Sequence, residues 1–173
     1  SHAVQSNWSF YTMYKFNWTA EIVGYSLAVV GVLVAFVQGF LIRKIIPRLG
    51  QVKSIYLGMS FSALGLLLFG LASESWMMFA FLIPYCLGGI AGPSIQGVIS
   101  SQVPANEQGE LQGALTSLMS LCGVFGPLLM TNLFAFATAK NSTFHVPGAP
   151  FFLASCLTLV SFYLSYRTLS KKH

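Results

Sequence analysis

Apolar residues along this chain come in five long runs, separated by short polar or basic stretches. The runs cover about 23–42, 55–72, 76–103, 111–137 and 151–166. A bilayer core is roughly 30 Å thick and is crossed by about 20 helical residues, so the pattern predicts five membrane-spanning helices. The expected fold class is an all-α membrane protein, a polytopic helical bundle with lipid as its solvent. Residues 1–18 are too polar to span. Their Trp8, Phe10, Tyr11, Tyr14, Phe16 and Trp18 read as an aromatic belt at the membrane–water interface, carried on the last turns of a helix that begins upstream. Opening on Ser1 gives the same expectation, a piece of something longer. Thr19 is placed to cap the first run and Glu21 to sit favourably in its first turn.

The third run, WMMFAFLIPYCLGGIAGPSIQGVISSQV, holds no charged residue and is interrupted by Pro84, Gly88, Gly89, Gly92, Pro93 and Gly97. Proline lacks a backbone donor and clashes with the carbonyl four residues earlier, which frees the carbonyls of Ala80 and Gly89. Lipid cannot satisfy them, so neighbouring helices or a water-lined cavity must. Two readings stand. Broken helices beside a cavity form binding sites in transporters, and Gly and Pro also occur in membrane helices kinked only for packing. The fourth run repeats the theme with Gly123, Gly126 and Pro127.

Basic residues give the orientation. Arg43, Lys44, Arg48, Lys53, Arg167, Lys171 and Lys172 fall on one side of the alternating spans, and only Lys15 and Lys140 on the other. Cytoplasmic loops carry the excess of Lys and Arg, so the loop expected at 43–54, with turns at Pro47 and Gly50, the 104–113 loop and the C-terminus are assigned to the cytoplasm. The sequons at Asn7, Asn17 and Asn141 then face outward.

Composition narrows the function classes. The chain is 55% hydrophobic and 8% charged, with no aspartate and four glutamates, all at the ends of apolar runs. The formal charge of +5 would suggest nucleic acid in a soluble protein; here the bases sit at membrane edges, and no nucleic-acid partner is expected. Cys86, Cys122 and Cys156 lie inside apolar runs without paired spacing or a nearby His, which points away from a disulfide framework or a metal site. No poised acid, base and nucleophile stand within reach of each other, so an enzyme is not expected.

Neutral polar groups remain. Gln38 and Gln96 are the only glutamines more than one residue in from the end of a span, and Asn132 is the only asparagine inside one. An amide both donates and accepts, which suits a polar solute; equally, it can bond across helices. Tyr85, one turn before Gly88 and Gly89, is a third candidate for solute contact, with core packing as the other reading. Ser155, Thr158, Ser161 and Ser165 share one helical face, which reads as a helix–helix seam, with a solute path as the other reading, and Gly88-x-x-x-Gly92 has a close-packing spacing.

These stretches together carry a resemblance. YSLAVVGVLVAFVQGFLIRKIIPRLG, WMMFAFLIPYCLGGIAGPSIQGVISSQVPANEQGELQGALTSLMS and GPLLMTNLF resemble the C-terminal half of a major facilitator superfamily transporter of the tetracycline-resistance efflux branch. The resemblance covers nearly the whole chain and is densest from Gly88 to Gly113, with Pro104, Glu107, Gly109, Gln112 and Gly113 in a cytoplasmic loop. The basic stretch resembles the second copy of the superfamily's G-x-x-x-D-R-x-G-R type motif, keeping Gly39, Arg43 and Gly50, with Lys44 and Arg48 beside them, but lacking the acid.

What the resemblance implies is helices eight to twelve, plus the end of helix seven, of a twelve-helix drug:proton antiporter working by alternating access in a bacterial inner membrane. The proton gradient would be its energy source and no cofactor would be needed, though the drug could arrive as a metal chelate. Its partners would be the lipid bilayer, the small-molecule drug and the N-terminal six-helix half, without which residues 1–173 are expected to transport nothing. Gln38 and Gln96 match glutamines of helices eight and ten. An aspartate of helix nine and a histidine of helix eight, present in several classes, are replaced by Ser62 and Val34, which puts any coupling carboxylate in the absent half. A sugar or metabolite transporter on the same fold, and a non-transporting membrane module with Gly88-x-x-x-Gly92 as its seam, are the rival readings.

Overall fold

The computed structural model describes residues 2–138 and 148–169. Helices occupy nearly all of them: α1 His2–Phe16, α2 Ala20–Phe36, α3 Ile42–Leu49, α4 Gln51–Leu71, α5 Ser75–Leu87, α6 Ala91–Ser100, α7 Gln108–Thr138 and α8 Ala149–Leu169. A π turn, Val37–Leu41, joins α2 to α3, and a 3-10 turn, Gly88–Ile90, joins α5 to α6. Among the described residues, five helical segments are long and apolar enough to cross a membrane, in an all-helical bundle.

Not every segment ends where expected: the second stops at Leu71 and the third at Ser100, short of residue 103. The first continues to Leu49, so residues 43–49 are not the loop that the bases and Pro47 suggested. Pro47 sits inside α3 because the bond it removes belongs to the carbonyl of Arg43, an exposed position where water can replace the donor. Only Gly50 turns the chain. Its φ of +79° is a conformation that suits glycine, and its N–H closes α3 on the carbonyl of Ile46 at 2.8 Å. At the other end of this segment Thr19 caps α2, its side chain accepting from the N–H of Ile22.

The helix at the centre is α4, which packs against α8 along its whole length and against α3, α5 and α6 on its other side. Small residues let it do so. Lipid gives helices little hydrophobic reason to associate, so close backbone approach and dispersion contacts must supply the attraction. A Cβ on Gly65 would lie 2.7 Å from the backbone of Tyr85, and one on Gly88 would meet Ser62. Gly88 thus belongs to a seam with α4, whereas nothing among the described residues lies within 4 Å of a Cβ on Gly92. On the opposite side Ser155 donates to the carbonyl of Ala63 at 2.9 Å, so the serine stripe of α8 begins as a helix–helix seam; Ser161 is exposed.

The aromatic residues of the first helix also sit differently from the expected belt. Trp8, Tyr11 and Trp18 are buried. Trp8 packs edge-on against Phe69 and Tyr11 against Phe151. Their polar ends are satisfied inside, Trp8 Nε1 by Ser26 at 2.9 Å and Tyr11 OH by the carbonyl of Phe69 at 2.9 Å. An amphipathic ring fits a wet interface or a hydrogen-bonded core equally well, and composition does not separate the two. Phe10 and Tyr14 remain exposed.

Candidate functional site: two irregular turns and the polar groups around them

The two departures from regular helix are neighbours in space. The π turn Val37–Leu41 of the first segment lies against the 3-10 turn Gly88–Ile90 of the third. The turns are opposite in sense. A π turn widens the helix by one residue and a 3-10 turn tightens it, and both occur at sites where a helix must flex or redirect groups. Glycine prepares each place, with Gly39 in one and the Gly88–Gly89 pair in the other. Pro84 and Pro93 flank the second. The N–H of Gly88 reaches the carbonyls of Pro84, Tyr85 and Cys86, so part of the backbone at the break is satisfied locally. Gly89, Gly92 and Pro93 are exposed.

Gln38 sits in the π turn with its side chain exposed and without a hydrogen-bond partner among the described residues. Gln96 is likewise exposed, two turns beyond Ile90 on α6. Tyr85 is half-buried, its ring 5.4 Å from that of Phe69, and its backbone is the one pressed against Gly65. Of the three proposed contacts, the two amides stand on open faces and the tyrosine is engaged in packing. Asn132 donates to the carbonyl of Leu128, one turn back on its own helix.

The fourth segment differs from the third. α7 continues through Gly123, Gly126 and Pro127 as regular helix, and a Cβ on Gly123 would have nothing within 4 Å. One proline removes a single hydrogen bond from a helix of 31 residues, and here no second glycine–proline break follows as it does at 88–93. α7 packs against α1 and α8, leaving Leu118, Val124, Phe125 and Leu129 exposed.

The two ends of the bundle differ in charge. Arg43, Lys44, Arg48, Lys53 and Arg167 are exposed at one end. There too lie Pro104, the 3-10 turn Ala105–Glu107, and Gly109, Gln112 and Gly113, all exposed on the first turns of α7. The residue that organises this loop, Gln108, carries no signal in the sequence pattern. Gln108 Nε2 donates to the carbonyls of Ser100 and Val103 at 2.8 and 2.9 Å, capping the end of the third segment. Nothing distinguishes it by pattern from Gln102 or Gln112. At the opposite end Lys15 Nζ reaches the carbonyl of Ala72 at 2.6 Å and Tyr11 OH at 3.0 Å. Trp18 Nε1 donates to Ser75. The α1–α2 connection is thereby fastened onto the α4–α5 turn. Burial pushes the Lys15 ammonium below its ordinary range. Lys140, Lys171, Lys172 and Asn141, used above for orientation, lie outside the described residues.

Comparison with known proteins agrees with this architecture. The family model for the Major Facilitator Superfamily matches residues 3–173. Tetracycline resistance protein, class C, of Escherichia coli is 38% identical over 151 residues, covering 87% of this chain and 38% of that protein. The class H protein of Pasteurella multocida is 36% identical over 132 residues, 76% of this chain and 33% of its own length. The class G protein of Vibrio anguillarum is 36% identical over 154 residues, 88% and 39% respectively. The chain thus spans well under half the length of the relatives it matches. No solved structure matches it.

Proposed function

Because the chain belongs to the major facilitator superfamily, a family of transporters and not of enzymes, we propose that it is the C-terminal portion of a drug:proton antiporter that exports a tetracycline-like compound by alternating access. The observation that carries the proposal is the pairing of the π turn at Val37–Leu41 with the 3-10 turn at Gly88–Ile90, with the unpaired amide of Gln38 on the first. Irregular backbone in a membrane helix is tolerated where it is buried in protein or lines a water-filled cavity, and discontinuous helices near the midplane form transporter sites. Gln38 and Gln96 contact solute in this reading, and Tyr85 holds α5, the other half of the segment that carries Gln96, against α4. The residues from Pro84 to Pro93 flex. The similarity to tetracycline resistance proteins supports a tetracycline-like solute.

No Asp or Glu lies in the interior of the five segments, so the proton-binding carboxylate belongs to the N-terminal portion of the protein, and residues 1–173 alone transport nothing. In this reading the Arg43–Lys53 and Arg167 end faces the cytoplasm, which its excess of exposed bases supports.

The test is tetracycline uptake by everted vesicles that carry the full-length protein and are energised by a proton gradient. Gln38→Ala and Gln96→Ala are expected to raise KM at least five-fold with unchanged protein levels. Uptake of a sugar but not of tetracycline, or wild-type KM in both variants, would overturn the reading.

A further inference from the structure

The face of the bundle built by α4 and α8 ends in two cations and contains no acid, and we propose that it binds an anionic phospholipid, with Lys53 and Arg167 holding the phosphate. The two helices run antiparallel, and their seam is fixed by three contacts. Tyr56 meets Phe162 and Tyr166 at ring-centroid distances of 5.7 and 5.6 Å. Ala63 accepts from Ser155, and Gly70 receives the ring of Phe152. Tyr56, Ala63 and Gly70 are seven apart, so they share one side of α4.

Rotating from that seam, α4 exposes Lys53, Ser60, Leu64, Leu67 and Leu71, while the other direction leads to the buried Ile55, Met59 and Leu66. On α8 the same sense of rotation reaches the exposed Leu159, Tyr163 and Arg167, and the opposite sense leads to the buried Phe151 and Ala154. Between antiparallel helices, equal rotation from the seam brings both rows to the same side. The result is one outward surface, apolar along its length, with Tyr56, Tyr163 and Tyr166 grouped near its charged end.

The dimensions suit one lipid. From Lys53 to Leu64 is about 16 Å at 1.5 Å per helical residue, close to half of a hydrocarbon core of roughly 30 Å. An acyl chain along Leu64 and Leu159 therefore leaves its headgroup at the level of Lys53 and Arg167. Neither cation has an ion-pair partner among the described residues, and α4 and α8 hold no Asp or Glu. Basic positions at a membrane surface attract anionic lipids, and tyrosine is at home at headgroup depth. The apolar row selects an amphiphile over free phosphate.

The experiment reconstitutes the full-length protein in nanodiscs of phosphatidylcholine mixed equally with phosphatidylglycerol, and counts retained lipids by native mass spectrometry after detergent extraction. Wild type is expected to retain phosphatidylglycerol at least five-fold over phosphatidylcholine, with no displacement by 10-fold excess glycerol phosphate. Lys53→Gln/Arg167→Gln is expected to bring the ratio near one, and Lys53→Arg/Arg167→Lys to keep it. If the double neutral variant fails to fold, the single variants Lys53→Gln and Arg167→Gln must each lower the ratio. Equal retention of the two lipids by wild type, an unchanged ratio in the neutral variants, displacement by glycerol phosphate, or a dimer that covers the face without lipid would each overturn the proposal. None of these readouts depends on transport.

Discussion

The backbone of Gly65 passes so close to Tyr85 that a methyl group on Gly65 would sit 2.7 Å from the tyrosine's Cα. Two effects of Gly65→Ala then compete. Alanine in a helix interior favours the fold over glycine by roughly 0.5–1 kcal/mol, but overpacking against backbone costs about 1–3 kcal/mol. The clash is the larger, and α4 must move off α5. Gly65→Ala should lower Tm in detergent, while Gly92→Ala, with nothing within 4 Å of the new methyl, should leave it unchanged or raise it. Equal Tm values for the two variants would contradict the packing described for this seam.

Lys15 fastens the α1–α2 connection to the end of α4 through the carbonyl of Ala72, and its burial favours the neutral amine. A cation whose folded-state pKa is depressed leaves the unfolded chain holding more protons between the two values, so stability rises with pH there. Wild type should therefore gain stability relative to Lys15→Met as pH climbs toward the ordinary value of 10.5, and below the lowered value the difference should be flat. Thermal melts of both proteins across that range measure it; parallel curves throughout would show that Lys15 does not titrate differently on folding.

Gln108 bonds to two carbonyls at the end of the third segment. Gln108→Ala should remove about 1–2 kcal/mol, the worth of one to two hydrogen bonds. It should also speed backbone hydrogen exchange over residues 100–107 more than elsewhere. Gln112→Ala, an exposed residue one turn on, should do neither. Peptide-level exchange by mass spectrometry separates the two.

Lys53 lies in the first turn of α4 and Glu74 just beyond its end; the helix has 21 residues and measures about 31 Å at 1.5 Å each, the full depth of a bilayer. Single cysteines at these positions should react with a membrane-impermeant maleimide from opposite faces, Lys53→Cys from the cytoplasmic one. Labelling of both from one side would remove the topology on which the functional proposal rests.

The apolar runs were legible because length and hydrophobicity alone decide whether a segment can cross lipid, and each run falls largely within one of the five helical segments, with only Ala72 and residues 101–103 beyond the helix ends. The ends were less legible. Residues 43–49 carry bases and a proline, which mark a loop in water-soluble chains, yet backbone bonding continues through them until Gly50. The candidate site was legible in part. Gly88, Gly89 and the flanking prolines announce a break because their chemistry is local. Gln38 stood out as a lone amide in an apolar run, but nothing in VQGFL spells a π turn, since widening a helix by one residue depends on what presses against it.

The chain by itself determined that its solvent is lipid, which segments are long and apolar enough to cross it, and which loops gather the bases, because transfer free energies and charge bias are sums over single residues. Which helix lies at the centre, which glycines touch, and that the breaks at 37–41 and 88–90 face each other were decided only by the tertiary structure. Those features depend on rotation and depth of one helix against another. In a medium as apolar as the side chains, such choices turn on a few close contacts between small residues that no hydropathy pattern records.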